Sequence, residues 1–354
     1  QSFTFVLIGN SVLEIKGMLL PFWLILFSTS CFANVLGLNI SASFNSAKVI
    51  YILIPILIIP QLLFSGIIVR FDRLHPSIAS QSGVPWIGNV MTSRWAYEAM
   101  AVYQFRNNEF NTMFFEMDQK RKNSGWKKDY WVTELKSKTV SYRKALMSGD
   151  RSDLAENDLL IIRNEMAAET QQLEGFTFEG LDQFTPEKAD TSLMTYTLGK
   201  LDVLFAHYRD QYNEANNERE NLVKSLTATP EAKEQYLALQ NVHHNLNLED
   251  FLVNKNDTKK IVENKNRLVQ KANLVYLPPY GKSFFGSHFY APSKSFFGKQ
   301  ITTLSANIFV IWGMSLLLMI LLFFDGLKWL LEKTNSKLLK LAVRMKMRKE
   351  QVYQ

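Results

Sequence analysis

The chain has 354 residues, 47% of them hydrophobic and 21% charged, with net charge +7 and a single cysteine, Cys31. The length allows two or three domains, and one cysteine excludes a disulfide within the chain. The tail Gly326–Gln354 holds eight Lys or Arg against two acids, whereas Arg70–Gln300 holds 30 bases and 29 acids; bases massed beside an apolar run set nucleic-acid binding aside.

In chain order, Gln1–Leu13 is uncharged and reads as the end of an earlier membrane span. A start without Met, inside an apolar run and with no basic n-region or cleavage site, predicts the C-terminal part of a longer polypeptide. Gly17–Ala47, Val49–Val69 and Ile301–Phe324 carry no charge at all. A helix of roughly 20 apolar residues crosses the hydrocarbon core, so Gly17–Asn39, Val49–Val69 and Ile301–Phe324 are predicted spans. The region 1–69 is thus read as transmembrane helices. The basic tail, 326–354, is expected on the cytoplasmic side and against anionic headgroups. Counting back from it puts 301–325 as the last transmembrane helix, 109–276 outside the cytoplasm, and the short link Ser41–Lys48 inside.

The predicted spans contain polar residues that hydrocarbon tolerates only when they face protein or water. Asn34, Asn39, Gln61 and Ser65 are candidates for a transport path, against the alternative of ordinary helix packing. Pro55 and Pro60, with Gly66 after them, predict either a packing kink or a hinge.

Residues 70–108 read as interfacial connecting helices: a loop over Phe71–Asn89, then a helix over Met91–Phe105. Trp86, Trp95 and Tyr97 suit a membrane–water boundary. Arg94 and Glu98 lie i,i+4 and are expected to pair as a structural element.

Residues 109–276 read as a helical insert, a bundle of long antiparallel helices in which strand signals are scarce. Leu159, Ile162 and Met166 share one helical face; so do Leu201, Leu204, Phe205, Tyr208 and Tyr212, and the spacing of Ile261, Leu268, Ala272 and Val275 predicts another helix. Thr229-Pro230 starts a helix with Glu231 in its first turn. Residues 277–300 form an aromatic interfacial linker with a repeat, Lys282-Ser283-Phe284-Phe285-Gly286 and Lys294-Ser295-Phe296-Phe297-Gly298. Paired Phe beside Lys ahead of a span points to interfacial anchoring.

Motifs for catalysis are lacking. Gly83 and Gly88 have phosphate-loop spacing, but Asn89 stands where lysine is required. His243-His244 has no ligand companions at metal spacing and reads as solvent-facing. Asn256-Asp257-Thr258 matches a glycosylation acceptor, a short pattern that arises often by chance. No nucleophile–base pair supports a hydrolase, so no catalytic residue and no metal ligand is assigned.

Three segments carry a resemblance. Gly37-Leu38-Asn39-Ile40-Ser41-Ala42, Ile59-Pro60-Gln61-Leu62-Leu63-Phe64-Ser65-Gly66 and Ser93-Arg94-Trp95-Ala96-Tyr97-Glu98-Ala99-Met100 are similar, in order and spacing, to the fourth span, fifth span and connecting helix of type-2 ABC exporter permeases of the G-subfamily, or white/pleiotropic-drug-resistance, kind. The resemblance covers about Gln1–Phe105 and Ile301–Phe324. It implies an all-α membrane protein, an inner or plasma membrane location, a homodimer of halves, and an ABC nucleotide-binding domain that uses ATP and Mg upstream of Gln1. It also implies alternating access, with ATP hydrolysis elsewhere in the assembly. The insert departs from that family in size and points to a gate or to a periplasmic partner. The competing expectation is a membrane-anchored scaffold or sensor with a helical interaction domain.

Overall fold

The computed structural model describes residues 1–44, 46–75, 79–150, 152–255, 257–279, 284–329 and 333. The basic tail beyond 333, the Lys282-Ser283 half of the first repeat and Asn256 of the glycosylation pattern lie outside these. Among the described residues the elements run α1 (Ser2–Val12), α2 (Leu19–Ser43), α3 (Ala47–Leu63), α4 (Trp86–Val90), α5 (Thr92–Arg106), α6 (Glu109–Trp126), α7 (Val132–Ser148), α8 (Asp153–Gln172), α9 (Thr191–Leu226), α10 (Pro230–His243), α11 (Leu246–Val253), β1 (Ile261–Asn264), β2 (Arg267–Gln270), β3 (Ser293–Phe296), β4 (Lys299–Thr302) and α12 (Thr303–Phe323). The chain divides into two compact units: residues 1–78, 85–100 and 303–354 form unit 1, and residues 79–84 and 101–302 form unit 2.

In unit 1, α2 packs against both α1 and α12. Hydroxyls that would be costly in an apolar helix bond back to their own turns: Ser28 Oγ donates to the Leu24 carbonyl and Thr29 Oγ1 to that of Ile25. Of the apolar helices, α2 and α12 are long enough to cross a membrane, while α1 and α3 are shorter. The helix within the predicted span Val49–Val69 is shorter than expected. The helix stops at Leu63 after 17 residues, about 25 Å at 1.5 Å per residue, against a hydrocarbon core of about 30 Å. Pro55 and Pro60 each remove a ladder donor, and Gly66 turns the chain at φ 87°, a left-handed conformation that glycine adopts without penalty. Ser65 and Gly66 therefore lie in a turn, past the helix end. The other spans shift less. Gly17 sits in a left-handed turn at φ 74° and α2 runs on to Ser43. At the other end of the chain, Ile301 and Thr302 close strand β4, so the last helix begins at Thr303.

In unit 2, α6 and α7 are joined through a five-residue π-helical turn, Lys127–Trp131. α9, 36 residues long, packs along both. The core gathers Trp131, Leu135, Leu159, Ile162, Met166, Leu201, Leu204 and Tyr208. Helix starts are capped as their sequences require: Asp190 accepts from the Leu193 amide, and Thr229 accepts from that of Ala232 with Pro230 in the first turn. Phe205, assigned to the buried face by spacing, lies at its margin, where the Lys136 ammonium is 5.3 Å from its ring centroid.

The helical reading of Ile261, Leu268, Ala272 and Val275 is overturned: Ile261–Asn264 and Arg267–Gln270 pair as an antiparallel hairpin. Its two turn residues, Lys265 and Asn266, both have positive φ (48° and 55°), the conformation that matches strand twist in a two-residue loop. Glu165 of α8 holds this hairpin, accepting from the Leu268 amide (3.0 Å), Arg267 Nε (2.9 Å) and the Trp131 indole (2.8 Å). Lys138 bridges Asp158 (2.8 Å) and Glu263. A second hairpin, β3 with β4, lies in the stretch predicted as a linker. The insert is therefore mixed helix and hairpin, not purely helical.

Candidate functional site

The polar residues of unit 1 fall into two groups. The first binds helices to one another. Asn39, buried on α2, donates through Nδ2 to the carbonyls of Val35 and, across the helix pair, Leu318, both at 2.9 Å. Gln61 near the end of α3 accepts from the Ser93 amide at 3.1 Å, while Ser93 Oγ donates to the Gln61 carbonyl. The Trp312 indole of α12 donates to Ser28 Oγ at 3.0 Å. Ser65 is buried and donates to the Leu62 carbonyl at 2.7 Å. Three of the four path candidates thus make hydrogen bonds inside the chain.

Around the start of α5 these bonds become a charged knot. Arg94 Nη1 lies 3.4 Å from Glu98 Oε2, with side chains only 2% and 0% exposed. Asn307 of α12 donates through Nδ2 to Glu98 Oε2 and to the Trp95 carbonyl, both at 2.9 Å. The Trp95 indole donates to the Asn89 carbonyl at 2.8 Å. A buried ion pair needs such extra hydrogen bonds, because its Coulomb energy alone barely offsets desolvation. Asn307 was missed by sequence reasoning, although its signal was present: it is a carboxamide in a charge-free span, the same signal that singled out Asn34.

The second group faces outward. Asn34, on α2, is exposed and its side chain makes no hydrogen bond to any described residue. Ser30, Gly37 and Ser41 are exposed with it at helical intervals of three and four, and a Cβ on Gly37 would meet nothing within 4 Å. The helix α3 buries none of its residues. Its half-buried seam runs Leu53, Leu57, Pro60 and Gln61, and Pro55 lies on the exposed side. The structure therefore does not gather Asn34, Asn39, Gln61 and Ser65 into one cavity.

The glycine spacing at Gly83–Asn89 has no phosphate-loop geometry. Gly88 sits in the five-residue α4, Pro85 precedes that helix, and among the described residues no strand leads into it. His243 and His244 are half-buried, correcting the solvent-facing reading: their Nε2 atoms lie 3.4 Å from Glu109 and 3.2 Å from Glu249. Among the described residues no group of three or more His, Cys, Asp or Glu is placed to hold a metal ion.

No curated protein and no solved structure matches the chain. Residues 1–105, which run from α1 to the end of α5, match the family model of the ABC-2 type transporter, and this supports the chain as the membrane part of an ABC transporter that associates with an ABC nucleotide-binding partner and a bilayer.

Proposed function

We infer that the chain is part of the membrane domain of an ATP-driven exporter of the G-subfamily type, working as a dimer of halves by alternating access. Asn34 carries this reading. A carboxamide exposed on a 25-residue apolar helix, with no hydrogen-bond partner among the described residues, costs too much to face lipid. It is accommodated if that face of α2, with Ser30, Gly37 and Ser41, meets water in a route across the membrane or the small-residue face of another helix. Asn39, Gln61 and Ser65 then act by holding the walls of that route, with Pro55 and Pro60 allowing α3 to bend beside it.

In this reading ATP and Mg belong to a nucleotide-binding domain on the same or another polypeptide, on the cytoplasmic side with the basic tail. Unit 2 lies on the other side and gates exit or recruits a periplasmic partner.

The test is site-directed labelling in a Cys31→Ala background, in membranes with the nucleotide-binding partner present. Asn34→Cys is expected to react with a water-soluble maleimide, and trapping the ATP-bound state is expected to change its rate. Reaction only with a lipid-soluble reagent, or no change with nucleotide, overturns the route. Labels in unit 2 and the tail that react from the same face of the bilayer overturn the topology and favour an anchored scaffold or sensor.

A further inference from the structure

The second hairpin has an unusual tip. β3 and β4 are joined by Phe297 and Gly298, both at positive φ (47° and 81°). Two-residue turns of this kind favour Asn, Asp or Gly at both positions. A phenylalanine in the left-handed region costs about 1–2 kcal/mol. The tip also wastes apolar surface by any soluble criterion: Phe297 is 92% exposed, Phe296 50% and Phe285 60%. These rings are not independent. Phe284 of the first repeat meets Phe296 of the second edge-on at 5.9 Å, Phe284 meets Phe285 at 5.2 Å and Phe296 meets Phe297 at 4.7 Å. The repeated Phe-Phe pairs thus build one aromatic knuckle, with the exposed Lys299 and Gln300 beside its tip.

Its place in the chain says what covers it. Only residues 298–302 separate Phe297 from α12, a helix long and apolar enough to cross a membrane. Five residues of chain reach at most about 18 Å, so the tip cannot travel far from the point where that helix meets the bilayer surface. The first repeat is held nearby within unit 2. A Cβ on Gly83 would lie 4.0 Å from the carbonyls of Gly286 and Ser287, and Lys271 bonds the carbonyl of Gln81 at 2.6 Å. Residues 79–84 are the stretch that unit 2 takes from between two segments of the apolar unit. The knuckle is thus held within unit 2, close along the chain to the start of α12.

We propose that the Phe285–Phe296–Phe297 knuckle is a lipid-binding wedge: its rings enter the headgroup–acyl boundary of the bilayer that α12 spans, and Lys299 stays among the headgroup phosphates. Aromatic rings favour that boundary and lysine snorkels beside it. The wedge holds the β3–β4 hairpin at the membrane surface, next to the point where α12 begins. This requires only that α12 enters a bilayer, and it stands whether or not the protein transports anything.

The test uses the full chain in nanodiscs of phosphatidylcholine and phosphatidylglycerol, with Cys31→Ala and an environment-sensitive fluorophore on Phe297→Cys. A label on Val242→Cys, an exposed position of α10, serves as the water reference. The 297 label is expected to emit blue-shifted from the 242 label and to be quenched by spin-labelled lipid. A label near the headgroup should quench more than one deep in the acyl chain, since interfacial groups bury about 5–10 Å. Phe285→Ala with Phe296→Ala is expected to reduce both signals without changing the melting of unit 2. Emission at 297 equal to that at 242, with no lipid quenching, overturns the proposal. A blue shift seen only in native membranes, and absent from nanodiscs, overturns it in favour of a protein partner.

Discussion

In unit 2 the core cluster is Leu, Ile, Met and aromatic side chains, and buried charges such as Lys138, Glu165 and Glu169 are paired, Lys138 with Asp158 and Glu263. In unit 1 polar groups are buried beside apolar ones, and the outside is apolar. Ser28, Asn39, Arg94, Glu98 and Asn307 are buried, while Phe5, Ile8, Leu20, Ile52, Ile56 and Leu317 are exposed. Both units are built largely of helices, so the difference is one of solvent. In water, apolar burial drives helices together. In lipid that drive is absent, and hydrogen bonds with close packing must select the neighbours.

The contrast can be broken most severely at Glu98. Glu98→Ala leaves the Arg94 guanidinium in a buried site without its carboxylate, an expected loss of about 3–5 kcal/mol, read as faster amide exchange and a lower melting temperature in unit 1. Glu98→Gln keeps a hydrogen-bond acceptor for Asn307 and should cost less; equal losses would mean the charge is irrelevant. Next is the core of unit 2. Ile162→Ala removes a fully buried side chain and should cost about 2–5 kcal/mol, with hydrogen exchange accelerating in α7–α9 and not in α2 or α12. A change confined to unit 1 would refute the division.

Asn39→Ala removes one bond between α2 and α12, worth about 0.6–2 kcal/mol in a membrane, and loosens that helix pair in exchange experiments. Alkaline pH separates the units in another way. Burial by itself would lower Lys138, yet its contacts with Asp158 and Glu263 raise it overall. Burial, and then Glu169, push Tyr208 up as well. Groups raised in the folded state stabilise it fully below their unfolded pKa, near 10, and lose that contribution as pH climbs through the folded value. Unit 2 should therefore weaken above about pH 10, where side chains of this kind deprotonate, and Lys138→Met should flatten part of that slope in a melting-versus-pH series. The smallest expected stability effect is at Asn34: Asn34→Leu should shift melting by less than about 0.5 kcal/mol, as at exposed sites generally, while lowering nucleotide-coupled labelling or transport. An unchanged activity would make Asn34 incidental.

The apolar helices α2 and α12 and the helix start at Thr229-Pro230 were legible in the residues because each depends on local composition and local hydrogen bonding. So were the faces of Leu159, Ile162 and Met166, and of Leu201, Leu204 and Tyr208, since helical period alone sets them. The residues could also name Asn34, Asn39 and Gln61 as polar misfits in apolar surroundings. Which of them meets its own chain, and which is left facing outward, depends on neighbours 32 to 279 positions away, and no local pattern encodes that. The hairpin at 261–270 escaped for the same reason: its strands are four residues each, too short for a period to declare itself, and it is held in place by Glu165, about a hundred residues earlier. Composition thus determined what each segment can tolerate around it; tertiary structure alone decided what surrounds it, because burial and pairing energies belong to contacts between distant residues.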